Sequence, residues 1–147
     1  MTKDFVVDAS IGVAWVHPAQ ATGASQALLD ALCDGAVVEA PALWPLEIAN
    51  ALLVLVRRGK LTEAERGTAL AALAQLSVVL DHDMASLAFT TLSALASRYE
   101  LSIYDATYLE LALRKKLPLA CKDGPLRTAA TVVPRQASIQ PRVNKGT

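Results

Sequence analysis

Phe5-Val6-Val7-Asp8-Ala9-Ser10 sets three apolar, β-favouring residues directly ahead of a carboxylate. A similar arrangement returns later, where Leu117-Pro118-Leu119-Ala120-Cys121 runs into Lys122-Asp123-Gly124-Pro125. Both read as short strands with an acid just past the carboxyl end. Val37-Val38 and Val78-Val79-Leu80 are further strand candidates. Helical patterns fill the intervals between them. Short apolar strands alternating with helices predict an α/β domain built on a short parallel β-sheet flanked by α-helices. In such a sheet, ligands bind beyond the carboxyl ends of the strands. Acids at those ends are therefore the first residues to examine.

The helices are read from their periodicity and end signals. One runs from about Ala21 to Cys33 and closes at Asp34-Gly35. Pro41 and Pro45 bracket the start of a strongly apolar helix that stops at Arg57-Arg58-Gly59-Lys60. Thr62 and Glu65 have capping-box spacing for a helix to about Leu76. Two more are expected at about Met84–Glu100 and Ser102–Lys116, and a short one after Pro125. Val132-Val133 is read as a fifth strand. Residues 1–133 are expected to form a single domain, with 134–147 a loosely ordered tail.

Composition supports this class. The chain has 147 residues, a one-domain length. It is 53% hydrophobic but only 5% aromatic, which favours helices packed on a small sheet over an aromatic-rich sandwich. Cys33 and Cys121 lack metal-ligand spacing and read as free thiols in a reducing compartment. Asp4 and Asp8 interrupt the first apolar run, so no secretory signal is visible, and a cytoplasmic protein is expected. The net charge is zero, yet eight of the 14 Lys and Arg residues and only one acid, Asp123, lie from Ala112 onward. That asymmetry fits either a solvated basic tail or a polyanion-facing end.

Four carboxylates carry the chemical argument, and each has a plain structural reading beside it. Asp8 is a good helix N-cap as well as a candidate ligand. Glu47 and Asn50 are the only polar side chains from Trp44 to Val56, on a helix that reads as apolar on every face and so as buried. A lone buried carboxylate has to be paired, protonated or bound to a cation. Asp105 stands three residues after Ser102, a capping-box spacing, and Asp123 lies in an Asp-Gly-Pro turn. Brought together, such carboxylates need a cation, and all-oxygen ligation suits Mg²⁺ or Mn²⁺ over zinc. Such ions serve phosphodiester hydrolysis by activating water and stabilising charge on the phosphoryl group. Asp81-His82-Asp83 is a lesser metal candidate, explained equally by a polar loop after a strand.

Four segments together resemble the PIN-domain family over nearly the whole chain. Val7-Asp8-Ala9-Ser10 looks like its first acidic motif and Leu46-Glu47-Ile48-Ala49-Asn50-Ala51-Leu52 like its second. Leu101-Ser102-Ile103-Tyr104-Asp105-Ala106-Thr107-Tyr108-Leu109-Glu110-Leu111-Ala112 is close to the third motif of VapC-type toxins, and Leu119-Ala120-Cys121-Lys122-Asp123-Gly124-Pro125-Leu126 matches the fourth. Cys121 departs from the family, which commonly has Thr two positions before the fourth acid.

The resemblance implies a Mg²⁺-dependent endoribonuclease, with Mn²⁺ able to substitute, of the kind that forms the toxin half of a toxin–antitoxin pair. It implies Asp8 and Asp105 as principal metal ligands and Glu47 and Asp123 as completing the catalytic acidic pocket. Ser10 and Asn50 would support these acids by hydrogen bonds. Expected partners are RNA, a VapB-type antitoxin and a second copy of the chain. Lys122 and Arg127 flank the fourth acid and are candidate RNA contacts. Trp15 and Trp44 are read either as core or antitoxin-contact residues or as platforms for bases. Two other readings remain: a PIN-fold binding module without cleavage, and a PIN ribonuclease outside a toxin–antitoxin pair. A receiver domain or a dehalogenase-like phosphatase fits less well, since the first strand carries one Asp and Asp8-Ala9-Ser10 breaks an Asp-x-Asp pattern.

Overall fold

The structure, a computed structural model, describes residues 3–122 and 124–132. Four strands, β1 (Phe5–Val7), β2 (Val38–Pro41), β3 (Val78–Asp81) and β4 (Leu119–Ala120), form one sheet in the order β3-β2-β1-β4. All three strand pairs are parallel, with Phe5 opposite Val38, Val38 opposite Val78, and Val6 opposite Leu119. The chain adds β2 and β3 on one side of β1, then returns to place β4 on the other. The switch point therefore lies between β1 and β4, where a parallel sheet opens its crevice. There the Asp8 amide donates to the Ala120 carbonyl at 3.1 Å. Phe5, Val6 and Val7 are all buried, as a strand covered on both faces requires.

Helices α1 (Ala9–Val16), α2 (Gly23–Cys33), α3 (Trp44–Arg57), α4 (Glu63–Ala74), α7 (Ile103–Lys115) and α8 (Pro125–Val132) surround the sheet. Between β3 and α7, α5 (Met84–Leu87), a π turn (Ala88–Leu92) and α6 (Ser93–Tyr99) replace the single helix expected there. Thr62 and Glu65 form the anticipated capping box. Thr22 and Ser25 form another that starts α2. No helix among the described residues is long and apolar enough to cross a membrane.

Three further expectations change. Helix α1 was not visible in the sequence, because Ile11, Gly12, Val13 and Ala14 are all buried and no polar face marks a helical period. Val132 ends α8 instead of starting a fifth strand: Leu126, Ala129 and Ala130 share the buried face of a helix, at i, i+3, i+4 spacing. Val133 and the tail 134–147 lie outside the described residues. Finally, α3 is not buried all round. Trp44, Ile48 and Leu52 face the core, whereas Leu46 is 66% exposed and Pro45 and Asn50 are also exposed.

Helices α1 and α3 pack closely because residue 12 is glycine. A Cβ there would collide with the Ile48 side chain and come within 2.9 Å of the Trp44 ring. This contact sets the separation of Asp8, which caps α1, from Glu47 in the first turn of α3.

Candidate active site

Asp8 leaves the end of β1 and caps α1. Its Oδ1 accepts from the Ile11 amide at 3.2 Å and from the Ser10 hydroxyl at 2.7 Å. The capping role is thus real, yet it engages one carboxylate oxygen and leaves Oδ2 without a hydrogen bond among the described residues. The Asp8 carbonyl accepts from the Trp44 indole at 3.0 Å. That bond ties the end of β1 to the first residue of α3 and places Glu47 one turn along. Trp44 is buried and packs edge-on against Trp15 at 6.3 Å between ring centroids. The Trp15 indole donates to the Ser25 carbonyl at 2.9 Å. Both tryptophans serve the packing of this corner.

Glu47 Oε1 accepts a 2.6 Å hydrogen bond from the Tyr108 hydroxyl. Tyr108 is buried on α7, three residues beyond Asp105, so the two share a helix face. Ser102 caps α7 by accepting from the Asp105 amide at 3.0 Å. The reciprocal bond of a capping box is absent, and the Asp105 carboxylate makes no hydrogen bond among the described residues. The purely structural account of Asp105 therefore loses its support.

The three acids sense one another. Burial pushes the Asp8 carboxyl up to about 6 from 3.8, against the Ser10 and Ile11 hydrogen bonds that hold it down; Asp105 and Glu47 add to the rise. Burial also raises Glu47, opposed by the Tyr108 hydrogen bond and aided by Asp105. Asp105 is raised by burial. Burial and the neighbouring Glu47 keep the Tyr108 hydroxyl protonated, so that it stays a donor. Each carboxyl thus holds its proton more tightly than usual, a strain that a cation beside them relieves. Among the described residues, no three His, Cys, Asp or Glu side chains stand close enough to ligate an ion as they are. Asp123, the fourth acid expected here, lies outside the described residues. The donors present are all carboxylate oxygens, which fits a hard divalent ion.

The other expected residues are placed unevenly. Ser10 holds Asp8 directly. Asn50 is exposed on α3 and makes no side-chain hydrogen bond among the described residues. Lys122 reaches from the end of β4 to the Gln20 carbonyl at 3.3 Å. Arg127 is buried and donates to the Cys121 carbonyl at 3.2 Å, so its guanidinium is engaged with the sheet end. Cys33 is exposed and Cys121 is buried, and neither is in a disulfide. Asp81 and Asp83 are drawn to Arg114, which also holds Glu110; an ion-pair network accounts for this loop. Tyr108 and Gly12 are the residues that sequence reasoning missed. Tyr108 was findable as the polar group one turn from Asp105, whereas nothing local marks Gly12.

A family model described as the PIN domain matches residues 5–131. The chain belongs to the PIN domain family. PIN domains are in general nucleases that act on RNA or other nucleic acids and use divalent metal ions. Among solved structures the chain is similar to the crystal structure of PAE2754 from Pyrobaculum aerophilum, with a TM-score of 0.67 at 20% identity, covering 97% of this chain and 91% of that one. At that identity the likeness concerns the fold. No curated protein matches the chain.

Proposed function

We propose that this chain is a Mg²⁺-dependent endoribonuclease of the VapC type, the toxin of a toxin–antitoxin pair. The reading is supported by Asp8, at the carboxyl end of β1, feeling the charges of both Glu47 and Asp105, and by burial raising the proton affinity of all three. Carboxyls arranged to disfavour their own charge, at the switch point of a parallel sheet, suit a cation-binding catalytic site better than a structural one.

Asp8, Glu47 and Asp105, with Asp123, would hold the ion, which supplies charge neutralisation at the phosphoryl group and a more acidic water. The protein residues do the positioning. Ser10 fixes the Asp8 carboxylate through Oδ1, so that Oδ2 would be left for the ion. Tyr108 fixes Glu47 through Oε1, and leaves Oε2 as the acceptor for a proton from attacking water. Lys122, just past the end of β4, is a candidate for contacting a substrate phosphate. A basic antitoxin segment would silence the site by pairing with the same carboxylates, and a homodimer is the expected assembly.

The test is cleavage of a mixed structured RNA pool with Mg²⁺, Mn²⁺ or EDTA, beside Asp8→Asn and Asp105→Asn. Metal-dependent cuts that vanish in both variants support the assignment. Full activity in either variant, with metal still required, overturns it. Co-expression with the protein of a neighbouring small open reading frame tests the toxin role: relief of growth arrest and a stable complex are expected.

A further inference from the structure

A groove of about 370 Å³ opens beside Glu47 and Ser10 and runs between α1 and α3. Its walls are aliphatic: Ala9, Val13, Ala51, Val54 and Leu55. Glu47 belongs both to this groove and to the carboxylate site. Among the described residues no ion pair involves Asp8, Glu47 or Asp105, and the Asp105 carboxylate makes no hydrogen bond. Without a divalent ion, an apolar slot therefore begins at uncompensated negative charge. Such a corner repels a phosphate and attracts a cation. The chain itself carries a segment of that character. Residues 133–147 contain Arg135, Arg142 and Lys145 and no acid. Ile139 and Val143 lie on either side of Arg142 in that segment.

We infer that the basic segment 134–147 of the same chain docks in this groove while the site lacks its divalent ion, with Arg142 at the carboxylates and Ile139 against the aliphatic walls, and that Mg²⁺ displaces it. The inference rests on the nuclease reading given above. The tether is long enough. The Asp8 amide donates to the Ala120 carbonyl and Arg127 donates to the Cys121 carbonyl, so α8 begins beside the strand end that leads to Asp8. Its eight residues advance about 12 Å. From Val132 to Arg142 the chain spans up to about 33 Å, enough to return over that helix. Arg135 has only about 10 Å of chain beyond Val132 and is held near the helix end. The spacing also fits. Glu47 and Leu55 are about 12 Å apart along α3, and Ile139 and Arg142 are about 10 Å apart in an extended chain. Pro141 biases Gln140 to extended backbone. A guanidinium pairs with carboxylates through parallel hydrogen bonds. Tethering presents it at about millimolar effective concentration, so a weak contact suffices. A separate protein lacks that advantage, and RNA has the wrong charge for the ion-free corner.

The experiment uses the full chain with the photo-crosslinker p-benzoylphenylalanine in place of Ile139, at pH 7.5, in EDTA and in Mg²⁺. Crosslinks are mapped by mass spectrometry over a range of protein concentrations. In EDTA they are expected within one chain, on Ala51–Leu55. Mg²⁺, or Arg142→Glu in EDTA, should reduce them about tenfold, the worth of a charge-assisted hydrogen bond. Arg135→Glu changes the net charge equally and should leave them in place. Crosslinks confined to other surfaces, or undiminished in Arg142→Glu, overturn the docking. Crosslinks between chains overturn it by assigning the groove to a second copy, and equal loss in Arg135→Glu overturns it by showing a non-specific basic segment. Cleavage is read separately, with Ile139 restored. Arg142→Glu is expected to reach half-maximal cutting at about fivefold lower Mg²⁺ than wild type, because the ion no longer competes with a tethered cation. An unchanged Mg²⁺ requirement overturns the competition. Metal-dependent cutting without groove crosslinks keeps the nuclease and removes the docked segment. Groove crosslinks that Mg²⁺ displaces, without any cutting, keep the docked segment and remove the nuclease.

Discussion

The hydroxyl of Tyr108 donates to Glu47 Oε1 at 2.6 Å, and this bond joins α7 to α3 across the site. The donor is buried and the acceptor half-buried, so the bond carries both orientation and stability. It also opposes the effect of burial on Glu47 by favouring the charged carboxylate. Tyr108→Phe removes the donor and keeps the ring. The expected loss is about 1.5–3 kcal/mol, the range for a hydrogen bond to a charged group. Urea unfolding at pH 7.5 reads the stability. Cleavage is expected to fall as well, and an unchanged rate would show that Glu47 needs no positioning from α7.

Glu47→Gln relieves a carboxylate that burial disfavours and keeps an acceptor for Tyr108. Metal-free protein is expected to be at least as stable as wild type, while cleavage is crippled. A lower melting temperature for the metal-free variant favours a structural role for Glu47 instead.

Asp8 makes stability depend on pH. Its folded value is about 6 against the ordinary 3.8, so between these values the folded state holds a proton that the unfolded state has lost. This group therefore lowers stability as pH rises through that window, by about 3 kcal/mol once pH exceeds 6. Asp8→Asn keeps an acceptor for Ser10 and Ile11 and carries no charge. In EDTA it is expected to gain up to that amount at pH 7.5 and nothing below the ordinary value. Mg²⁺ has the opposite effect: it should raise the wild-type melting temperature at pH 7.5 and leave the variant nearly unmoved. Chemical denaturation at two pH values, with and without the ion, separates these contributions.

Gly12→Ala forces a methyl group into Ile48 and Trp44. Overpacking of this kind costs about 1–3 kcal/mol. Because the same contact spaces Asp8 from Glu47, cleavage should drop further than the stability loss explains. Activity measured at a temperature where the variant is fully folded checks this; wild-type activity there would uncouple the helix contact from the site.

Arg114 gathers Asp81 at 2.8 Å, Asp83 at 3.3 Å and Glu110 at 2.8 Å. Its hydrogen bond holds Asp81 below the ordinary carboxylate value. Such an acid contributes stability above its ordinary value and loses it as pH falls through the depressed one. Arg114→Leu is expected to cost about 1–3 kcal/mol at pH 7, since it leaves buried Glu110 without its guanidinium; partial exposure of the pair keeps the figure below that of a fully buried bridge. The cost should shrink at pH 3, and equal costs at both pH values would point to lost packing alone.

Much of this protein is written locally. Strands β1 to β4 follow from short apolar runs, Thr62 and Glu65 announce α4, and the segments around four acids resemble motifs of the PIN family, whose model matches residues 5–131. These features depend on neighbours within a few residues, which is the range over which periodicity and capping act. Helix α1 escaped because its buried surface has no polar face to set a period. The burial of α3 was overstated because a run of apolar residues does not say which side meets the core, and Leu46 proved to face solvent. The Asp8–Trp44 and Glu47–Tyr108 bonds span 36 and 61 residues and exist only once the sheet has folded. Sequence alone thus determined the class of fold and pointed to the acids to examine. Tertiary structure alone decided which side chains hold them, how far burial raises their proton affinity and where a groove opens beside them. Those properties come from groups distant in the chain that share one desolvated corner.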